Sequence, residues 1–139
     1  MESLTTKIPQ MKKPASNQHT IHGLIKSRWS PRMFSDEKIT DEDMNSLFEA
    51  ARWAASSNNL QPWRFMYFRK GTESYEKIIK SFAEFNQRWI GSAPVIILTA
   101  YKEKTPKGKD NFHALHDLGL SVGNLSLQAE SMGIALHQM

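Results

Sequence analysis

Residues 40–65 read TDEDMNSLFEAARWAASSNNLQPWRF, and this stretch decides the fold because a helix pattern gives way to a strand pattern within it. Its first half carries apolar residues at helical spacing, which predicts an amphipathic helix over 41–54. Thr40 precedes that helix as an N-cap, and Asp43 completes a variant of the capping box. A polar loop follows, and the aromatic segment 64–69 then predicts a strand.

Helix and strand patterns alternate along the rest of the chain. The run VIILTA at 95–100 is continuous and β-branched, which predicts a central strand buried on both faces. This alternation predicts helices packed on a sheet, in an α/β or α+β fold. The full set of predicted elements comprises helices over 19–28, 41–54, 73–86 and 111–132 and strands over 64–69, 95–100 and 134–139.

The length of 139 residues suits a single domain. Residues 1–18 contain prolines and lysines without an apolar period, so we expect a flexible N-terminal arm followed by a domain over 19–139. The last strand pattern stops at Met139 with no turn or partner after it. We therefore expect that the chain is a fragment of a longer protein and lacks the C-terminal part of its fold.

Composition argues against several classes of protein. The absence of cysteine excludes disulfides, thiolate metal sites and cysteine nucleophiles. The longest apolar run, 94–100, is too short to cross a bilayer, and no secretory signal opens the chain. The net charge of +4 arises within residues 1–32, which hold six lysines and arginines against one acid, so no basic face for nucleic acid is indicated. We expect a cytoplasmic protein with no nucleic-acid or membrane partner.

The segment Arg28-Trp29-Ser30-Pro31-Arg32 is the first candidate for a ligand site. It places two guanidiniums and a hydroxyl on a turn that Pro31 stiffens, and such groups bind phosphate or carboxylate. On the residues alone, a solvated basic turn is the alternative.

Residues 55–59 (ASSNN) are the second candidate, because their hydroxyls, amides and backbone N–H groups suit a ligand-lining loop. A plain helix-to-strand connector is the alternative. Ser56 or Ser57 as a nucleophile would need a base that the sequence does not indicate, and no hydrolase, kinase or metalloprotease motif is present.

The third candidate combines the amide of Asn86 and the cation of Arg88 at the mouth of the strand 95–100, and a surface helix end is the alternative. His113 and His116 have the spacing of helical metal ligands, but no further ligand accompanies them, so we expect no metal.

Together and in this order, the segments resemble the FMN-dependent nitroreductase family from Ile21 to Met139. The resemblance implies an α+β, nitroreductase-like fold with a central mixed sheet flanked by helices. It also implies an intertwined homodimer with one FMN at each of two subunit interfaces. The matching marks are RWSPR (28–32), TDED…FEAARWA (40–54), ASSNNLQPWRF (55–65), NQRW…APV (86–95) and DLGLSVGNL (117–125).

The resemblance further implies where FMN binds. Residues 28–32 would hold the phosphate and the ribityl and pyrimidine side, the 55–59 loop would come from the other subunit, and Asn86 and Arg88 would meet the polar edge of the ring. The helix 111–132 would form the dimer core. The implied cofactor-binding residues are Arg28, Trp29, Ser30, Arg32, Ala55, Ser56, Ser57, Asn59, Asn86 and Arg88.

The activity implied by the resemblance is a ping-pong reaction. NAD(P)H would reduce the flavin by hydride transfer and leave, and a nitroaromatic, a quinone or a related acceptor would then take the electrons. Because the cofactor carries the reaction, no catalytic side chain is expected. The family usually has proline where Ala55 stands, and its members are longer than this chain. The alternative is a truncated, catalytically weak homologue that serves as a flavin-binding or dimerising module.

Overall fold

The computed structural model describes residues 13–139, so most of the predicted arm at 1–18 lies outside the described residues. Helices and strands alternate along the described chain, and a short 3-10 turn at Ser57–Asn59 separates the second helix from the first strand. The elements are α1 (Gly23–Ser27), α2 (Asp41–Arg52), β1 (Trp63–Arg69), α3 (Glu73–Lys80), α4 (Glu84–Ile90), β2 (Val95–Tyr101) and α5 (Ala114–Ser131).

Helix α2 confirms the prediction for 41–54, and its start is fixed by the predicted capping box. The Thr40 hydroxyl accepts a hydrogen bond from the Asp43 N–H at 3.1 Å, and the Asp43 carboxylate accepts one from the Thr40 N–H at 2.8 Å. The apolar face of α2 packs against α5 to form the larger hydrophobic core. The buried residues of this core are Met44, Leu47, Ala51, Leu125 and Ala129.

The sheet consists of β1 and β2, which pair antiparallel from Trp63 opposite Tyr101 to Arg69 opposite Val95. The strand predicted at 64–69 is therefore confirmed. Within residues 13–139 no parallel pairing is present, so the mixed sheet is not found there.

The prediction that 95–100 is buried on both faces is wrong for the second half of the strand. Val95 and Ile97 pack on the α2–α5 core, and Ile96 packs on a smaller core with Tyr75 of α3. Leu98, by contrast, is 39% exposed. Helices α3 and α4 are short and cover only the beginning of the strand.

The single helix predicted over 73–86 is also wrong, because the chain breaks between α3 and α4. The Ser81 hydroxyl donates to the carbonyl of Ile78 at the end of α3, and Ala83 then leaves the helical region with φ −55° and ψ 143° before α4 begins. The break lets Phe82 pack into the smaller core, while Phe85 is left 60% exposed.

The segments at the two ends of the domain also differ from expectation. The helix predicted over 19–28 is only the short α1. The strand predicted over 134–139 is wrong, since Gly133 has φ +74° and ends α5, and the Ile134 N–H returns to the carbonyl of Ala129 at 2.8 Å. The helix predicted over 111–132 is confirmed as α5 with slightly narrower bounds.

No helix in the described part of the chain combines the length and the apolar character that crossing a membrane requires.

Candidate functional site

The turn 28–32 follows directly from the end of α1. The Arg28 N–H donates to the carbonyl of Leu24 at 3.0 Å, and the backbone of Arg28 then becomes extended. Pro31 is buried, while Ser30 and Arg32 on either side of it are exposed. The proline therefore anchors the turn and leaves polar side chains at the surface.

Two contacts hold this turn against α4 and the C-terminal segment. The carbonyl of Pro31 is 2.8 Å from Nδ1 of His137, whose ring packs 4.5 Å from that of Trp89. The guanidinium of Arg32 lies over the ring of Phe85 at 5.5 Å. The structure thus brings the turn together with α4, the helix that carries Asn86 and Arg88.

The arginines of the turn differ from the other arginines in having no oxygen partner. Within residues 13–139, the guanidiniums of Arg28 and Arg32 make no hydrogen bond or ion pair with any protein oxygen. The remaining arginines each have one: Arg52 binds Glu49, Arg64 binds the carbonyl of Gln61, Arg69 binds Asp41 and Arg88 lies 3.5 Å from Glu84. The turn therefore keeps two cations available for an external anion.

The polar side chains of α4 differ in whether they are available to a ligand. The half-buried Asn86 amide has no hydrogen-bond partner in the described chain, so it remains available. Arg88 is 73% exposed and its charge is shared with Glu84 on the same helix. The indole nitrogen of Trp89 is buried and unpartnered within residues 13–139. Because no solvent reaches that nitrogen, Trp89 supports the turn by packing.

The 55–59 loop is confirmed as a loop, and its backbone is held by hydrogen bonds. The Ser57 N–H donates to the Asp117 carboxylate at 3.0 Å, and the Gln61 N–H donates to the Ser56 hydroxyl at 3.0 Å. The amide of Asn59 accepts a bond from the Gln61 side chain at 2.9 Å. Ala55 is exposed at the start of the loop.

The residues that hold the loop and the turn come from opposite ends of α5 in the sequence. Asp117, which holds the loop, lies in the first turn of this 18-residue helix, which is about 27 Å long. His137, which holds the turn, follows the other end. No hydrogen bond or ion pair joins turn and loop within residues 13–139. That the loop completes the site of a second subunit therefore stays a prediction.

Sequence reasoning missed the contacts of Asp117 and His137. The spacing of Asp117 to Ser121 and Asn124 follows one helix face, which is a usable signal in the sequence for the contact of Asp117. His137 had no sequence signal for its bond to Pro31. The described residues contain no group of three or more side chains able to hold a metal ion.

Comparisons with known proteins show which protein family this chain resembles. Residues 25–89 match the model of the Nitroreductase family. A protein of Archaeoglobus fulgidus named as an NADH dehydrogenase/NAD(P)H nitroreductase is 31% identical over 111 residues, which cover 80% of this chain and 62% of the relative. The chain is similar to the nitroreductase family. The family resemblance seen in the sequence is thereby confirmed.

Other proteins agree with this similarity. The major NAD(P)H-flavin oxidoreductase of Aliivibrio fischeri is 35% identical, over 59% of this chain and 38% of its own length. A solved oxidoreductase containing FMN superposes with a TM-score of 0.82 at 29% identity, covering 88% of this chain and 64% of the other. A nitroreductase of Desulfovibrio desulfuricans solved in complex with FMN gives a TM-score of 0.69 at 27% identity, covering 81% and 65%. The nitroreductase-like fold is confirmed, and the chain spans less than two thirds of the archaeal relative's length.

Proposed function

We propose that this chain acts as an FMN-dependent oxidoreductase that uses NAD(P)H to reduce nitroaromatic, quinone or related acceptors by a ping-pong hydride mechanism. The observation that carries the proposal is the turn 28–32. Its two arginines lack any oxygen partner among residues 13–139, while the turn itself is fastened to α4 and to His137. Similarity to the nitroreductase family and to solved structures that contain FMN supports the choice of anion.

The residues of the turn fit a flavin mononucleotide. A phosphate dianion suits paired guanidiniums, and the exposed Ser30 hydroxyl adds a donor. Arg28 and Arg32 would therefore bind the phosphate end, with Trp29 beside them. Asn86, whose amide has no partner within residues 13–139, would bind the polar edge of the ring, and Arg88 would add positive charge near it.

The loop 55–59 would supply the other wall of the site from a second copy of the chain. Ala55, Ser56, Ser57 and Asn59 would line the flavin there, with Ser57 held by Asp117 of its own subunit. Helix α5 would form the centre of the homodimer. This role is supported by its exposed apolar side chains, since Leu115 is 64% exposed and Leu120 is 41% exposed.

The protein's part in the reaction is to bind and orient the cofactor and to place positive charge near it. When bound, FMN supplies the two-electron chemistry between NAD(P)H and the acceptor. The arginines of the turn fix the cofactor by its phosphate, and the loop and Asn86 set the position of its ring. Since NAD(P)H is held inside cells, we place the reaction in the cytoplasm.

Flavin binding and turnover test the proposal in sequence. The purified chain is expected to quench FMN fluorescence on titration and to oxidise NAD(P)H when a nitroaromatic or a quinone is added. Free flavin without protein is the control for the second measurement. Flavin binding without turnover would favour the flavin-binding or dimerising module over the enzyme, and the absence of any flavin binding would contradict the proposal.

A further inference from the structure

Three polar side chains of α5 lie along one face of the helix and meet the end of α2 and the loop that follows it. Asp117, Ser121 and Asn124 are separated by four and then three residues, which places them above one another. These three side chains are named the polar seam. Asp117 is 2% exposed and Ser121 is fully buried.

Ser121 and Asn124, the two members of the polar seam nearer the C-terminal end of α5, form hydrogen bonds to the end of α2. The Ser121 hydroxyl donates to the carbonyl of Ala51 at 2.9 Å, and the Asn124 amide donates to the carbonyl of Ala50 at 3.2 Å. The carbonyls of Ala50 and Ala51 also accept the N–H groups of Trp53 and Ala54 at 3.3 and 3.2 Å. Because a carbonyl oxygen can accept two hydrogen bonds, the side chains of α5 add a second bond to each and join α2 to α5.

Asp117 differs because it reaches past α2 to the loop. Its carboxylate accepts the Ser57 N–H at 3.0 Å, at the first residue of the 3-10 turn. His116 also approaches this carboxylate at 3.4 Å, but its side chain is 71% exposed. The buried carboxylate therefore has the backbone of the loop as its close partner.

The loop needs such a partner because its backbone is strained. Asn58, Asn59 and Gln61 have φ of 51°, 53° and 44°, in the left-handed region that residues other than glycine seldom adopt. The bond from the Gln61 N–H to the Ser56 hydroxyl closes the loop on itself and does not fix it to the domain. The bond from the Ser57 N–H to the Asp117 carboxylate fixes the loop to α5.

We propose that Asp117 is the positioning residue of the flavin-binding loop. By fixing the Ser57 N–H, it sets the direction in which Ser56, Ser57 and Asn59 present their polar groups. The flavin part of this inference rests on the proposed function, whereas the hold of Asp117 on the loop does not. A carboxylate suits this role because it only accepts hydrogen bonds, so the Ser57 N–H always meets an acceptor.

Amide hydrogen exchange of the flavin-free chain tests the hold on the loop. Asp117→Ala is expected to raise exchange in a peptide covering residues 55–61 by at least about tenfold. Asp117→Asn, whose amide oxygen still accepts the bond, is expected to restore most of the protection. Ser121→Ala is the matched control, because it removes a bond of the polar seam without touching the loop. If Asp117→Ala does not fold, Asp117→Leu fills the same space without an acceptor and takes its place.

Flavin titration of the same variants tests the consequence for the site. The Kd for FMN is expected to rise about tenfold in Asp117→Ala, to recover in Asp117→Asn and to stay within about twofold of wild type in Ser121→Ala. Unchanged exchange in Asp117→Ala, or faster exchange with an unchanged Kd, would overturn the inference. If the wild-type chain binds no FMN, the proposed function fails, and the exchange experiment still decides whether Asp117 holds the loop.

Discussion

At the scale of single residues, ion pairing separates the arginines of the turn from the rest. A surface arginine with a nearby carboxylate gains little from it, but a pair of arginines without any oxygen partner keeps its full capacity for a ligand. Neither Arg28 nor Arg32 has an oxygen partner among residues 13–139, and the guanidinium of Arg32 lies over the ring of Phe85. Their role is therefore testable through the charge of the ligand.

Arg28→Ala is expected to weaken FMN binding by about 1.5–3 kcal/mol, a rise in Kd of roughly 10- to 150-fold, because a charge-assisted bond to phosphate is lost. Riboflavin, which lacks the phosphate, is expected to bind wild type and variant equally. Fluorescence titration with both flavins measures the two effects. Arg52→Ala is the matched control, since that arginine pairs with Glu49 away from the turn. An equal loss of riboflavin affinity would remove the phosphate assignment.

At the scale of elements, α2 owes its start to a local device. The Thr40 hydroxyl and the Asp43 carboxylate satisfy one another's backbone N–H groups, and three acidic residues occupy the first turn of the helix, where the dipole favours them. The bonds from Thr40 to Asp43 lower the pKa of that carboxyl below its ordinary value of 3.8. Because its pKa is lowered in the fold, the Asp43 carboxylate stabilises the fold only while it is ionised.

Thr40→Ala is expected to cost about 1 kcal/mol of unfolding free energy at neutral pH, because both the hydroxyl cap and its bond to Asp43 are lost. The contribution of Asp43 is fully present above its unfolded pKa and disappears as the pH falls through the lower folded value. The difference between wild type and variant should therefore narrow in acid. Denaturant unfolding at several pH values measures it, with Asn45→Ala on the same helix as the control. A difference that stays constant with pH would contradict the role of the Asp43 charge.

The elements that the sequence predicted correctly are those whose cause is local. Helix α2 follows from a cap and an apolar period, and β1 from an aromatic run. The helix predicted over 73–86 was wrong because the period continues through Phe82 and Phe85, while packing in three dimensions breaks the chain between them. The strand predicted over 134–139 was wrong for the same kind of reason, since the hydrogen-bond partners of this segment are Ala129 and the distant Pro31.

The candidate site was predictable to a similar extent. The segments 28–32 and 55–59 stand out by residue type and order, and in the structure the first is irregular with a bend at Arg32 and the second is a loop with a 3-10 turn. Their supports did not stand out, because Ser57 and Asp117 are 60 residues apart and a single hydrogen bond leaves no pattern in the sequence. The assignment of FMN contacts to individual residues stays a prediction.

At the scale of the whole molecule, one face of the described chain is apolar and uncovered. Phe112 is 89% exposed and Leu115 is 64% exposed near the start of α5, and Tyr101 of β2 is 37% exposed. Gly119 and Gly123 add a flat strip to α5, since within residues 13–139 no atom beyond the neighbouring backbone of the helix itself would lie within 4 Å of a Cβ at either position. Within residues 13–139 no other element packs closely on either glycine, which agrees with a role between subunits.

Gly119→Leu is expected to leave the single chain folded, since its own residues offer space and leucine favours a helix by about 1 kcal/mol over glycine. The same side chain would stand between two copies of α5 and shift a dimer toward monomer. Sedimentation velocity across a range of concentrations measures the change. Gly23→Leu is the control, because that glycine also has open space around it but lies on α1. A dimer of unchanged strength would place the subunit interface elsewhere.

The bond between His137 and Pro31 has a consequence for the order in which the molecule is built. The two residues are 106 positions apart, so the turn that carries Arg28 and Arg32 is synthesised early and fastened late. While the ribosome is still making α5, Trp89 has already been synthesised but His137 has not, so the turn lacks its bond to the imidazole. The proposed anion site is thus complete only when almost all of this sequence has been synthesised, and a cofactor that arrives earlier meets a turn that His137 does not yet hold.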